Sequence, residues 1–163
     1  MLAPSSFAWA RVHECTLSTL GVSLVVVADE EVILFTWRAP LDDEELFELV
    51  VSHGGKPERG WWDRISPHSL GWVTARKGDG TLVGFVNVAW DGGDHAFLID
   101  TKTRGSYQRQ GIGTRVVRLA AERAKAAGCN WLHVDFDDHL RAFYFDACGF
   151  APTNAGLIDL RLL

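Results

Sequence analysis

Apolar residues change their spacing several times along the chain, and each change marks an element. Residues 32–37 form a continuous apolar, β-branched run that predicts a strand, stopped by Pro40. Asp42, Asp43, Glu44 and Glu45 then place negative charge where a helix N-terminus favours it. Leu46, Leu49 and Val50 give that helix a buried stripe, which Gly54-Gly55 ends. Residues 56–69 carry Pro57, Trp61, Trp62 and Pro67 without a clear period and read as a loop with a short helix. Two strand-like runs, 70–76 and 81–90, flank the turn Lys77-Gly78-Asp79-Gly80, and Asp91-Gly92-Gly93-Asp94 marks a second turn. Ala96-Phe97-Leu98-Ile99 is a short apolar run of buried-strand type. Ile112, Val116, Leu119, Ala120, Ala124 and Ala127 recur at helical spacing, while Arg115, Arg118, Glu122 and Lys125 point elsewhere. Gly128 stands where a left-handed cap is wanted. Residues 131–136 predict another strand, 140–147 a short helix closed by Gly149, and 157–163 a final strand.

Run together, the order is strand, helical region, three antiparallel-type strands, helix, strand, helix, strand. A doubly wound sheet would alternate strand and helix throughout, so that class is excluded in favour of another α/β arrangement. With 163 residues and no repeat or linker, the chain reads as one domain over 32–163 behind an N-terminal extension over 1–31, either a strand or unstructured. The apolar run 17–28 has the length of a signal-peptide core, but Arg11 is its only early positive charge and Glu14 lies beside it. It is too short for a membrane span, and it is read as part of the extension. Three scattered cysteines make neither a disulfide framework nor a zinc site and fit a reducing, cytoplasmic setting. The net charge of −5 argues against nucleic acid as a main partner.

Chemistry enters at Gln108-Arg109-Gln110-Gly111-Ile112-Gly113, between the strand run at 96–99 and the long amphipathic helix. The first N–H groups of a helix have no intrahelical partner, and the dipole presents partial positive charge there. Glycines let an anion approach that backbone closely, so the turn is a candidate pyrophosphate cradle. A structural corner that binds nothing is the alternative reading of the same letters.

Tyr107 to Gly113, the helix after it, and the later Phe143-Tyr144 … Cys148-Gly149-Phe150 resemble the GCN5-related N-acetyltransferase (GNAT) family. The resemblance spans roughly residues 80–150 and implies an α/β fold with a mixed, splayed central sheet flanked by helices. It implies acetyl-CoA as donor and co-substrate and a primary amine as acceptor; His133, Asp135 and His139 are weighed as a metal site and set aside, so no metal is expected. It assigns the backbone of Thr101, Lys102 and Thr103 to the pantetheine arm, and Arg109, Gln110, Gly111, Ile112, Gly113 and Thr114 to the pyrophosphate. It assigns Tyr144 to the leaving thiolate, with two departures. The family's tyrosine stands four residues before the glycine of its Gly-Phe pair, whereas Tyr144 stands five before Gly149 and Phe145 takes the usual place. The family's asparagine before this helix is replaced by Asp137 or Asp138.

One extra residue turns a helical side chain by about 100°. Either a bulge returns Tyr144 to the sulfur, or Tyr144 is a core residue. A base for the amine is sought at Asp100, His133, Asp135 and Asp137, the last three sharing one face if their segment is a strand. The carboxylates there also read as a solvated strand end, with Asp137 or Asp138 as an N-cap. The acceptor side is expected from residues 53–69 and 151–158, where Trp61 and Trp62 read either as a stacking surface or as core. Expected partners are a small-molecule or peptide amine and, as an option, a second copy in a homodimer, with no nucleic acid and no membrane. A domain of this fold that binds acyl-CoA without turnover is the rival reading.

Overall fold

The computed structural model describes residues 31–163 in full and, before them, the backbone of two short strands, Cys15–Leu17 (β1) and Val22–Val27 (β2). The rest of the expected N-terminal extension lies outside the described residues. Glu31–Trp37 (β3) is followed by the helices Asp43–His53 (α1) and Trp61–Ile65 (α2). Ser69–Lys77 (β4), Leu82–Trp90 (β5) and His95–Thr103 (β6) form a meander, then Ile112–Ala126 (α3) leads to Trp131–His133 (β7). Among the described residues seven strands make one sheet in chain order, antiparallel throughout except for the parallel β6–β7 pair. The sheet is mixed, as the resemblance implied.

Local sequence accounts for the helix ends. Asp42 caps α1 by accepting from the Glu45 N–H at 2.8 Å, Glu45 reaches back to the Asp42 N–H, and Gly54 closes the helix at φ 94°. Glu45 also pairs with Arg76 of β4, tying the start of α1 to the sheet. Asp43 accepts from the N–H groups of Gly60 and Trp62 at 2.6 and 3.0 Å, so one carboxylate holds the start of α2 against α1.

The two sheet faces carry different layers. On one, α3 buries Ile112, Val116, Val117, Leu119, Ala120 and Ala124 against Phe35, Val73, Val86, Val88 and Leu98. The expected helical stripe is thus the buried one, except that Ala127 is exposed and Val117 joins the core. On the other face, Leu46 and Leu49 of α1 pack with Trp62, Leu82 and Phe85. Trp62 meets Trp72 and Phe85 edge-on at 4.8 and 5.4 Å and is core, whereas its neighbour Trp61 is not fully buried.

Three sequence expectations are corrected. The strand over 131–136 stops at His133. The helix over 140–147 is a 3₁₀ turn, Asp138–Leu140, followed by a π-helical turn, Ala142–Ala147. The expected final strand does not form, and residues 151–159 are irregular, with a 3₁₀ turn at Leu160–Leu162. Asp159 accepts from the Arg161 N–H at 3.0 Å and pairs with its guanidinium, a local bond that competes with a strand ladder. Leu157 and Leu163 are 89% and 95% exposed there.

Close packing of α3 on β5 rests on Gly84. A Cβ at this position would lie 2.7 Å from Ile112 Cγ2 and 3.0 Å from Ala75 Cβ. Gly84→Ala is therefore expected to destabilise the fold by about 1–3 kcal/mol, read as a lower urea midpoint with an unchanged slope. Gly78→Ala in the β4–β5 turn, where an added Cβ meets nothing within 4 Å, serves as the control and is expected to leave the midpoint in place. Equal midpoints for the two variants would contradict this account of the α3 interface.

Candidate active site

The site begins at an interruption in β6. Along β5 the register runs Phe85↔Lys102 and then Asn87↔Ile99, so β6 carries one extra residue between the two pairs. The extra residue falls at Asp100 or Thr101, and Asp100 takes the left-handed backbone, φ 58°. The bulge resets the alternation of side chains. Ala96 and Leu98 face α3 before it and Thr103 faces α3 after it, within 3.4 Å of where a Gly113 Cβ would stand. Asp100 and Lys102 turn to the α1 face, 3.7 Å apart as an ion pair.

β7 does not follow β6 past this point. Their parallel pairing covers only His95↔Trp131, Ala96↔Leu132 and Phe97↔His133. From Leu98 to Thr103 the outer edge of β6 has no strand beside it among the described residues, which is the splay that the resemblance implied. Arg104 N–H donates back to Val83 at 2.8 Å, so by the alternation of an antiparallel ladder the N–H and C=O of Thr103 face the open edge. Lys102 is still in register with Phe85 and turns its N–H toward β5, so the Thr101 C=O of the same peptide group points to the open edge.

A groove of about 430 Å³ runs from this edge to the start of α3. Its walls include Thr101, Thr103, Arg109, Gly111, Gly113 and Thr114. Arg109 and Gly111 both hold positive φ, 60° and 81°, and fold the turn tightly before the helix. Gly111 is the N-cap of α3, with no side-chain cap bond and no acidic residue in the first turn. The helix therefore begins with uncapped N–H groups and its partial positive charge turned to the groove. At Gly113 an added Cβ would meet the Phe143 ring at 3.1 Å, so glycine there keeps the groove open beside the π-turn.

The π-turn brings Tyr144 to the same groove. Cys148 N–H donates to Phe143 O and Phe150 N–H to Tyr144 O, bonds that span five and six residues rather than four. The wider turn absorbs the extra residue noted in the sequence, and Tyr144 lines the groove together with Leu140 and Phe143. Its ring stacks on Phe136 at 4.6 Å and is met edge-on by Phe143 and Phe150. Burial holds the phenol above its ordinary value of 10, with the nearby Thr101 hydroxyl acting the other way. Thr101 Oγ1 is buried beside the phenol and makes no hydrogen bond of normal length and angle among the described residues.

On the opposite face of β6 lies a second cavity of about 310 Å³, between α1, the residues that follow it and the bulge. Phe47, Val50, Lys56, Trp61, Asp100 and Lys102 are among its walls. One strand thus borders two cavities, Thr101 and Thr103 on one side and Asp100 and Lys102 on the other.

Of the residues singled out from sequence, the groove gathers Thr101, Thr103, Arg109, Gly111, Gly113, Thr114 and Tyr144. Gln110 turns its amide back to Ser106 O at 3.1 Å, and Ile112 is a buried core side chain whose share in the groove is limited to its main chain. Asp100 stands across β6 from Tyr144, close enough for its charge to raise the phenol slightly. His133 is taken up elsewhere, 2.8 Å from His95 and stacked on Phe97. Asp135 and Asp137 fall past the end of β7, and Asp137 occupies an N-cap position without a side-chain cap bond. Residues 151–158 line neither cavity, and α1 supplies Phe47 and Val50 in their stead. His53, at the end of α1, falls only within the expected acceptor segment 53–69; the structure puts it on the groove wall instead, a place that a lone polar residue in the last turn of a helix does not signal.

No curated protein sequence matches the chain. Among solved structures, a GNAT-family acetyltransferase from Streptococcus pneumoniae TIGR4 superposes with a TM-score of 0.65 at 22% identity, over 78% of this chain and 98% of that one. The glucosamine-6-phosphate N-acetyltransferase of Arabidopsis thaliana gives 0.59 at 14% identity, over 77% and 97%. An aminoglycoside N-acetyltransferase solved in complex with CoA gives 0.64 at 16% identity, over 82% and 97%. These likenesses share the fold. The sequence model of the Acetyltransferase (GNAT) family matches residues 30–150, the span that carries the bulged strand, the glycine turn and the aromatic π-turn, and the chain belongs to that family.

Proposed function

We propose that the protein transfers an acetyl group from acetyl-CoA to a primary amine by direct attack within a ternary complex. The single observation that carries this reading is the continuity of the groove, from the open edge of β6 to an uncapped helix N-terminus, with one buried phenol on its wall. The pantetheine arm would lie along the Thr101, Lys102 and Thr103 backbone as an added strand. The pyrophosphate would take the N–H groups of the turn from Arg109 to Thr114. Such a donor fits a cytoplasmic setting.

The amine would arrive from the α1 face, where Asp100 is one of the cavity walls. An amine of pKa about 10.4 is only about 0.1% free base near neutrality, a gap of roughly 4 kcal/mol, so a proton acceptor is needed. Asp100, on the wall of the α1-side cavity, would take the proton directly or through water. Once the ammonium's first proton has passed to Asp100 and on to water, the neutral amine attacks the thioester carbon, the C–S bond breaks, and the surplus proton on nitrogen ends on the departing sulfur as the free CoA thiol. The thiolate is met by Tyr144. Full proton transfer from a phenol above 10 to a thiolate of about 8.5 is uphill by at least about 2 kcal/mol. Tyr144 therefore works chiefly as a hydrogen-bond donor to the developing charge, and the amine's proton replaces any that it gives up. A covalent acyl-enzyme is disfavoured, because burial pushes the thiols of Cys129 and Cys148 above their ordinary value.

Acetyl-CoA binding by calorimetry, with thiol release followed over a panel of amines, tests the reading. Gly111→Glu puts a bulky anion at a φ of 81° and is expected to abolish micromolar binding while the thermal midpoint stays within a few degrees. Tyr144→Phe is expected to lower kcat by about 10²-fold or more with little change in the donor's Kd. Binding without thiol release across the panel would favour the sensor reading, and no binding at all would remove the acetyltransferase reading.

The chain has two tyrosines, so Tyr107→Phe leaves Tyr144 as the only phenol for a spectrophotometric titration. Its midpoint is expected above 10. The sign follows from burial. The folded-state value is raised above the unfolded one, so Tyr144 contributes stability that is complete below the ordinary value and lost as pH rises through the folded one. A midpoint at or below 10 would contradict the buried, neutral phenol.

A further inference from the structure

His53 ends α1 with its imidazole on the open edge of β6. Nδ1 lies 2.8 Å from the Thr103 carbonyl oxygen, 3.3 Å from the Thr103 main-chain nitrogen and 3.5 Å from Gln108 Nε2. One ring nitrogen cannot donate and accept at once. The contact of normal hydrogen-bond length decides the roles, and Nδ1 carries the proton and donates to Thr103 O. The Thr103 N–H then remains available at the edge, and Nε2 has no partner among the described residues although His53 is part of the groove wall. The placement is imposed by the fold. Gly54 turns the chain away in a left-handed cap, and Ser52 O packs so closely on Gly105 that a Cβ there would be 2.7 Å from it.

Resting on the acetyl-CoA reading above, we propose that His53 is a donor-binding residue that fits this end of the groove to the pyrophosphate. The partial charges give the reason. An anionic oxygen near Thr103 would otherwise meet the partly negative Thr103 carbonyl at the negative end of the α1 dipole. The imidazole covers the Thr103 carbonyl, and as imidazolium it offers Nε2–H to a phosphate oxygen as a charge-assisted bond. Together with the Thr103 N–H and the α3 turn, this end of the groove then presents donors only. A thioester lacking the pyrophosphate gains nothing from the arrangement, so His53 discriminates acetyl-CoA from S-acetylpantetheine.

The test compares dissociation constants for acetyl-CoA, by calorimetry, and for S-acetylpantetheine, by competition. The proteins are the unsubstituted chain, His53→Phe, His53→Gln and a control, His68→Gln, outside both cavities. His53→Phe is expected to weaken acetyl-CoA by about tenfold or more, with S-acetylpantetheine changed less than twofold. His53→Gln keeps a donor for Thr103 O and should fall between, and the control should match the unsubstituted protein. Equal weakening of both thioesters would reduce His53 to a structural residue, and unchanged acetyl-CoA binding would overturn the proposal while leaving the acetyltransferase reading intact. If the unsubstituted protein fails to bind acetyl-CoA, both fall. Should His53→Phe not fold, the ratio of the two constants in His53→Gln decides alone.

Discussion

β6 is paired along its length by β5 but by β7 over three residues only, and the two cavities depend on that difference. The cause is local. An extra residue near Asp100 bends the strand, and Asp100 takes a left-handed backbone that costs on the order of 1 kcal/mol for a residue with a side chain. Past the bend β6 runs free of β7, and backbone groups that would close a ladder face a groove instead, with the Thr103 carbonyl met there by His53. The same extra residue returns Thr101 and Thr103 to the α3 side while Asp100 and Lys102 turn to the α1 side. A β6 without the bulge would pair further with β7, close the groove and exchange the faces of these side chains.

Around that strand the layers are set by glycines and by committed charges. Gly84 lets α3 settle onto β5, which fixes the height at which the helix N-terminus meets the edge of β6. Asp43 is held by two N–H groups of α2 and so serves the architecture of the α1-side cavity more than its chemistry. Gly60 lowers its pKa below the ordinary carboxylate range, which fits a permanently charged anchor. The aromatic cage of Phe136, Phe143 and Phe150 does the corresponding work for Tyr144, excluding water from one phenol.

Much of this was legible in the sequence, for physical reasons that differ by element. α3 announces itself because an amphipathic stripe repeats over four turns, and Gly111 and Gly113 because a phosphate-sized approach demands missing side chains. The residues 131–136 and 157–163 are apolar enough for strands, but a strand needs a partner edge, and apolar spacing carries no knowledge of where β6 bends away. The spacing anomaly at Tyr144 left two conformations open, since only the π-turn decides where an added residue goes. The segment 53–69 reads as acceptor side, but the place of His53 beside Thr103 was not legible, because that contact joins residues fifty positions apart.

Amide hydrogen exchange with and without acetyl-CoA addresses the open edge of β6 most directly. The donor is expected to slow exchange at Thr101 and Thr103 and across residues 111–114, while Lys102, already turned toward β5, is little changed. Protection confined to other strands, or absent from Thr101 and Thr103 at saturating acetyl-CoA, would contradict that expectation.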